Sequence, residues 1–286
     1  MNRTEYLEQQ IVASFVSWLS DAINLPFEHQ YYHRKRRRFW KCSSFQDAVD
    51  GITKDQVMRG YEWNGRGFEE NALELTELKN RANKSLDKDV ARDIIKWGGI
   101  RKDTTHYMGK DVVAYLLTAC QRLNPETFRL SDISGLPHMN SSFTKIYSLL
   151  IEDFIIYDSR VGAALGHLVC LFYSATQRRI ENSEFEKINF AWGAPPFGEH
   201  TKYKELMAKS RNPSNGHLIF PRLTSLSHPR DVARHTINNI RASWILKEVI
   251  KSSAHPYFDT SQDGIRRLEA ALFMIGYDVW NEIKPN

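Results

Sequence analysis

One run of adjacent basic residues, His33-Arg34-Lys35-Arg36-Arg37-Arg38, occurs in the chain, with aromatic residues on both sides of it. Neighbouring positive charges repel one another unless an anion lies close to them. Arginine and lysine flanked by aromatic side chains are typical of a segment that contacts a phosphate backbone. The run therefore predicts nucleic-acid contacts by Arg34, Lys35, Arg36, Arg37 and Arg38. A solvated or disordered arm and a targeting signal remain the alternatives.

Residue patterns for several other chemistries are absent from the sequence. The ten histidines include no His-Glu-x-x-His motif, and His29 and His33 have no obvious further ligand, so catalytic zinc is not expected. Neither a glycine-rich phosphate loop nor a serine nucleophile elbow occurs. Cys42, Cys120 and Cys170 are few and widely spaced, which favours a reducing compartment without disulfides. We therefore expect neither a metal nor a cofactor.

Residues 131–173 combine two turns with two predicted helices. A turn at Gly135-Leu136-Pro137 precedes a polar stretch, and a short apolar helix is expected from about Ser142. After a second short turn, Asp158-Ser159 begins the helix with the strongest apolar periodicity in the chain. Asp is a common N-cap residue, and the amides and dipole at a helix start stabilise its negative charge. The segment thus predicts a carboxylate held at the start of a buried helix.

This order of residues resembles that of the helix-hairpin-helix DNA glycosylases. In that family a Leu-Pro-Gly-type hairpin leads into a helix that often carries Lys, and a short loop then delivers an Asp that starts the next helix. The matching residues here are Leu136-Pro137, Thr144-Lys145 and 156–161. The likeness is greatest to bacterial proteins similar to 8-oxoguanine glycosylase, some of which act in defence against phages with modified bases. It implies an enzyme that removes a modified or damaged base from double-stranded DNA.

The sequence departs from this family at three points. Residues 138–142 replace the usual second and third glycines of the hairpin, which bind phosphate through their amides. Asp158 follows Lys145 by 13 residues, a shorter interval than in the family. Three cysteines are too few for the four-cysteine iron–sulfur loop of some members, so no iron–sulfur cluster is expected.

The resemblance assigns catalytic roles to Asp158 and Lys145. Base departure leaves positive charge on the sugar, and the carboxylate of Asp158 would stabilise that charge and orient a water. Its alternative role is that of an N-cap alone. Lys145 would attack the sugar as a neutral amine, and its alternatives are a solvated helix lysine or a phosphate contact. A glycosylase without lyase activity is the simpler expectation, with weak lyase activity left open.

The resemblance also implies DNA contacts along the hairpin and beside it. Ser141, Ser142 and Thr144 lie where the hairpin would meet phosphate, and ordinary helix capping is their alternative role. Arg101, after a glycine pair, and Arg160, in the matched segment, are expected to contact the DNA as well.

A glycosylase must also hold its target base outside the DNA stack, and aromatic side chains are the usual surface for this. Trp97, next to Gly98-Gly99, and Phe197, in a proline-rich loop, are the candidates for the base pocket. Core packing is the alternative for both residues, because Trp and Phe mostly lie inside proteins.

The elements that must position these residues are mainly helical. Apolar residues recur at helical spacing over 5–19, 111–123, 158–173 and 265–275, whereas strand-type alternation is scarce. We expect a mainly α, two-lobed helix-hairpin-helix fold with Asp158 at the cleft between its lobes. The predicted divisions are 1–60, an N-terminal helix and basic arm; 61–156, a central helical lobe with the hairpin; and 157–286, a C-terminal helical lobe.

Composition indicates an ordinary globular protein with a mild basic excess. Lys and Arg number 39 against 34 Asp and Glu, and no apolar run approaches the roughly 20 residues that span a bilayer. The N-terminal residues predict an amphipathic helix rather than a signal peptide. We expect a cytoplasmic monomer without membrane contact. A non-catalytic DNA-binding protein of the same fold, or a protein whose basic run binds RNA or an acidic partner, remains open.

Overall fold

The computed structural model describes residues 1–33, 36–54, 57–100, 105–179, 181–194, 210–223, 228–259 and 263–280. Within them the chain is mainly helical, as predicted, with one two-stranded antiparallel sheet. The helices and strands are α1 (Arg3–Leu7), α2 (Gln10–Ala22), β1 (His29–His33), β2 (Arg38–Cys42), α3 (Asp47–Asp50), α4 (Phe68–Lys84), α5 (Lys88–Trp97), α6 (Val112–Arg122), α7 (Phe143–Leu150), α8 (Ser159–Thr176), α9 (Asn182–Ile188), α10 (Pro229–Ser253) and α11 (Gly264–Ile275). Short 3₁₀ turns cover Thr105–Met108 and Pro256–Phe258.

Side-chain caps fix where several of these helices begin. Asp87 accepts hydrogen bonds from two backbone amides at the start of α5, and Asp111 accepts one at the start of α6. His228 caps α10, and Pro229 occupies its first turn, where the missing amide hydrogen costs nothing. The starts of these three helices are therefore set by local sequence.

The buried side chains form one continuous core to which all parts of the described chain contribute. Helices α2 and α10 pack against each other, α8 packs against α11, and α5 and α7 pack on α4. The buried indole nitrogens of Trp40 and Trp244 donate to the carbonyl oxygens of Gly60 (3.0 Å) and Pro125 (2.7 Å), so these large side chains bury no unpaired donor.

The segment predicted as a basic arm instead forms two paired β-strands. Strands β1 and β2 pair in antiparallel register, with Tyr32 opposite Phe39 and His33 opposite Arg38, so Arg38 begins β2. Tyr31 and Trp40 face the core and stack on each other, 4.9 Å apart. The alternation was missed because aromatic residues lie on both faces of these short strands: Tyr32 and Phe39 are exposed, whereas Tyr31 and Trp40 are buried. We call the described residues of this segment, 29–33 and 36–42, the basic hairpin.

Candidate active site

Three residues singled out from the sequence line a single cleft in the structure. Trp97 ends α5, Lys145 lies in α7 and Asp158 precedes α8, and all three contribute to its walls. The cleft is partly open to solvent and has a cavity volume of about 130 Å³. Aromatic side chains form much of the remaining wall: Tyr61, Trp63, Phe68 and Phe273. The structure thus brings the predicted lysine, carboxylate and tryptophan together around an aromatic-walled space.

Asp158 is the N-cap of α8, as one of its two predicted roles requires. Its Oδ1 accepts hydrogen bonds from the amides of Arg160 (2.8 Å) and Val161 (3.2 Å). The side chain is half-buried, and Oδ2 accepts no hydrogen bond from the described residues. One carboxylate oxygen therefore holds the helix, and the other remains available to a ligand of the cleft.

Lys145 is buried, so the prediction of a solvated helix lysine is wrong. Its Nζ donates to the carbonyl oxygen of Ser141 (2.7 Å), and its stem passes so close to Gly98 that an added β-carbon there would lie 2.1 Å from Cδ. Burial lowers the pKa of this amine, while the nearby carboxylates of Asp158 and Glu269 act in the opposite direction. A lowered pKa increases the fraction of neutral amine, which is the nucleophilic form.

The predicted phosphate contacts of Ser142 and Thr144 are wrong, because both side chains are enclosed in the protein. The amides of Ser142 and Phe143, which a hairpin would offer to phosphate, instead donate to Oδ1 of Asn140 (2.7 and 3.1 Å). Asn140 lies at a position where helix-hairpin-helix glycosylases carry glycines. Its side chain caps the start of α7 and so occupies the amides there. Ser141 is half-buried, and its phosphate contact stays a prediction.

Thr144 has an internal role that the sequence did not reveal. Its hydroxyl donates to the carbonyl oxygen of Ile155 (3.2 Å) and accepts from the amide of Tyr157 (2.9 Å) and from Nδ2 of Asn239 (2.8 Å). These bonds connect α7 and α10 to the segment that ends in Asp158. Thr144 is therefore a positioning residue for that carboxylate.

Replacement of Thr144 by Val should lower the free energy of unfolding by about 2 to 4 kcal/mol, because it leaves the Tyr157 amide and Nδ2 of Asn239 buried without their acceptor. Chemical denaturation measures this loss. Thr176→Val is the matched control, since the Thr176 hydroxyl bonds only its own helix at an exposed position, and it should cost far less. Equal stability losses in the two variants would contradict the assigned role.

Glu269 and His235 also hold the segment before Asp158, and sequence reasoning missed both. Oε2 of Glu269 accepts from the amide of Ile156 (2.7 Å) and from Nη1 of Arg266 (2.7 Å), and Nε2 of His235 lies 2.7 Å from the carbonyl oxygen of Tyr157. Burial raises the pKa of Glu269 and lowers the pKa of His235 to about 4. Glu269 also lines the cleft, where it adds a second carboxyl group. The sequence gives one indication of the role of Glu269, which lies within the apolar helical pattern of 265–275.

The buried His235 should make stability fall in mild acid. Its pKa is about 4 in the folded protein and about 6.5 in an unfolded chain, so the unfolded state takes up a proton first. The stabilisation is complete above pH 6.5 and is lost as the pH falls through 4, by about 3 kcal/mol in total. Denaturation curves of wild type and His235→Gln between pH 8 and 4 measure the difference. His217→Gln, at an exposed position, should retain the wild-type pH dependence; the same dependence in His235→Gln would contradict the assignment.

The basic hairpin lies next to the cleft. The guanidinium of Arg160 stacks on Phe273, a cleft residue, 4.1 Å from the ring centroid, and on Tyr277 at 5.0 Å. Tyr277 in turn stacks on Tyr31 (4.8 Å) and on His33 (4.4 Å) of the hairpin. These contacts connect the two regions through packed rings and leave the Arg160 guanidinium without a hydrogen bond to any described residue.

The described arginines of the hairpin differ in their surroundings. Arg36 forms an ion pair with Glu62, which lies between two cleft residues in sequence, Tyr61 and Trp63. Arg37 and Arg38 are exposed to solvent. Four residues of the sequence predictions lie outside the described part of the chain: Arg34, Lys35, Arg101 and Phe197.

Comparison of the chain with protein-family models, with curated proteins and with solved structures found no match. None of the described helices combines the length and the apolar character needed to cross a membrane. In the same residues no three histidine, cysteine or carboxylate side chains lie together in a way that would hold a metal ion.

Proposed function

We propose that this protein is a DNA glycosylase that removes a modified or damaged base from double-stranded DNA. The observation that supports the proposal most is the meeting of Lys145, Asp158 and Trp97 in one aromatic-walled cleft. The sequence resemblance implied a lysine and a carboxylate in this order, and both line a cleft whose aromatic walls would suit the faces of an extruded base.

The proposed reaction breaks the bond between C1′ of the deoxyribose and the nitrogen of the base. The electron pair leaves with the base, which takes up a proton, and positive charge develops on the sugar. The carboxylate of Asp158 stabilises that charge, and its Oδ2 accepts a proton from the water that adds to C1′. The products are a free base and an abasic site. Aromatic cleft walls would hold the extruded base while the bond breaks.

The buried amine of Lys145 supports a second route on the same site. In its neutral form it would add to C1′ in place of water as the base leaves. Cleavage of the C1′–O4′ bond would then open the sugar and give a Schiff base, with O4′ taking up a proton that the amine loses. The lowered pKa of Lys145 favours this form. A glycosylase that uses water alone needs Lys145 only as a cation beside the developing negative charge of the base.

The basic hairpin would supply much of the affinity for the DNA backbone in a two-lobed arrangement around the cleft. Arg37 and Arg38 are exposed at its tip side, and Arg160 links the hairpin to the cleft wall. Phosphate binding of this kind releases counterions and weakens steeply with salt.

Replacement of both Arg37 and Arg38 by Gln should reduce the slope of log K against log salt by about 2, because each phosphate contact contributes about 0.9. Fluorescence anisotropy with a labelled duplex at several salt concentrations measures the slope. The control is Lys251→Gln, an exposed lysine of α10 that does not line the cleft, and it should leave the slope unchanged. An unchanged slope in the double variant would place the DNA elsewhere.

The test of the proposed function is an abasic-site assay on a panel of duplex DNAs, unmodified and base-modified, with phage DNA included. We expect abasic sites on at least one modified DNA. None on any DNA would contradict base excision.

A non-catalytic DNA-binding protein is the second candidate. The observation that favours it is the Asn140 cap, which occupies the amides that hairpins of the family offer to phosphate. It predicts salt-dependent binding to duplex DNA, no abasic product, and the same affinity in wild type and Asp158→Asn.

A further inference from the structure

The outer face of the basic hairpin carries two exposed aromatic side chains that lie next to each other. Tyr32 and Phe39 are opposite in the β1–β2 register, and their ring centroids are 5.4 Å apart, with the ring planes at 70°. They are 42% and 53% exposed, and the exposed large side chains of the described residues include one further aromatic ring, that of Tyr107. A cross-strand pair stabilises a hairpin through the contact between its two rings. That role leaves the rest of both ring surfaces open to a ligand.

The inner face of the hairpin holds this pair in place. Tyr31 and Trp40 are buried in the core and stack on each other. On the far side of β2, the amide of Met58 donates to the carbonyl oxygen of Phe39 (2.8 Å), and its carbonyl oxygen accepts from the amide of Lys41 (3.0 Å). Strand β2 is therefore bonded along both edges, so the exposed rings stand on a surface that is organised before any ligand arrives.

Positive charge without a carboxylate partner surrounds the two rings. Arg37, Arg38 and Lys41 are exposed, and none of them forms an ion pair with a carboxylate of the described residues, whereas Arg36 is paired with Glu62. The hairpin itself contains no Asp or Glu. Arg37 stands at φ +53°, where Gly and Asn are the usual residues, so the turn keeps a charged side chain where a neutral one would fit more easily. The surface therefore suits a partner that combines negative charge with flat apolar groups.

We propose that the outer face of the basic hairpin binds unpaired bases of a DNA strand, which stack on Tyr32 and Phe39. The phosphates on either side of these bases contact the three exposed cations, Arg37, Arg38 and Lys41. Every base has a flat face that can stack on an aromatic ring, and every nucleotide brings a phosphate, so the match does not depend on sequence. In an intact duplex the neighbouring base pairs cover these faces, so the site discriminates an opened strand from a closed one. The choice of DNA over RNA rests on the proposed function, because extrusion of a base opens the duplex.

Fluorescence anisotropy of the full chain with a short labelled oligothymidylate tests the inference without any need for catalysis. Tyr32→Ile and Phe39→Ile remove a ring but keep an apolar β-branched residue, which suits a strand. Each variant should bind about fivefold or more weakly than wild type, the loss expected when one stacked base loses its ring. Tyr107→Ile is the matched control, because Tyr107 is an exposed aromatic residue that packs on His106 and His138 outside the hairpin, and it should bind as wild type does.

A second probe is an oligomer of the same length whose sugars carry no bases, and wild type should bind it about fivefold or more weakly. This measurement does not depend on the folding of any variant. Equal binding of the two oligomers by wild type, or equal binding of oligothymidylate by wild type and both hairpin variants, would overturn the inference. Tighter binding of oligouridylate would overturn the assignment to DNA, and a wild-type dimer that Phe39→Ile abolishes would assign this face to a second copy of the chain.

The outcomes for this inference and for the proposed function are separable. Base-dependent binding of oligothymidylate without abasic sites on any duplex would refute the proposed function alone. Abasic sites formed by a protein that binds the two oligomers equally would refute this inference alone.

Discussion

Asp158→Asn should release base at least about a hundredfold more slowly than wild type and should fold normally. The variant removes the negative charge that would stabilise the sugar in the transition state, an effect of the size found for other preorganised charges. It keeps an oxygen for the amides of Arg160 and Val161, and Asn caps helices about as well as Asp. Single-turnover base release and thermal melting separate the two effects.

Asp111→Asn is the matched control for this result. Asp111 also caps a helix, through the amide of Ala114 (2.9 Å), but it does not line the cleft. Its variant should release base at the wild-type rate. Unchanged release by Asp158→Asn would show that the carboxylate is a cap and nothing more.

Lys145→Met should lose all covalent trapping on abasic DNA by borohydride while its stability is unchanged or higher. The reagent reduces the Schiff base formed by a neutral amine, so a protein without that amine gives no adduct. Burial of the ammonium costs free energy that burial of a methionine of similar length does not, and Met adapts to irregular spaces. Trapping yield and denaturation curves measure the two consequences.

Lys79→Met provides the comparison, because Lys79 also lines the cleft but is exposed. The Lys79→Met variant should be trapped on abasic DNA as efficiently as wild type. An adduct of equal yield in Lys145→Met would assign the nucleophile to another amine. A wild type that gives no adduct would restrict the chemistry to water and leave Lys145 as a cation of the cleft.

Local patterns predicted much of the helical framework. The apolar stripe of 158–173 corresponds to α8, and the stripes of 111–123 and 265–275 correspond to α6 and α11. The cap at Asp158 followed from its residue type and place. These features depend on neighbours three or four residues away, which a sequence displays directly.

The features that the sequence did not predict depend on distant contacts. Glu269 bonds the Ile156 amide across 113 positions, and His235 bonds the Tyr157 carbonyl across 78. Thr144 looked like a hairpin residue facing phosphate, but its hydroxyl is buried in hydrogen bonds with Asn239 and with the backbone of Ile155 and Tyr157. Only the fold brings these groups to the segment before Asp158, so no local pattern could indicate them.

The most direct test of base excision is the detection of free base by mass spectrometry after incubation of the protein with modified and unmodified duplex DNA. We predict a free modified base in amounts equal to the abasic sites formed, from wild type and not from Asp158→Asn. Firm, salt-dependent binding without any free base would contradict the glycosylase and identify the protein as a non-catalytic DNA-binding module.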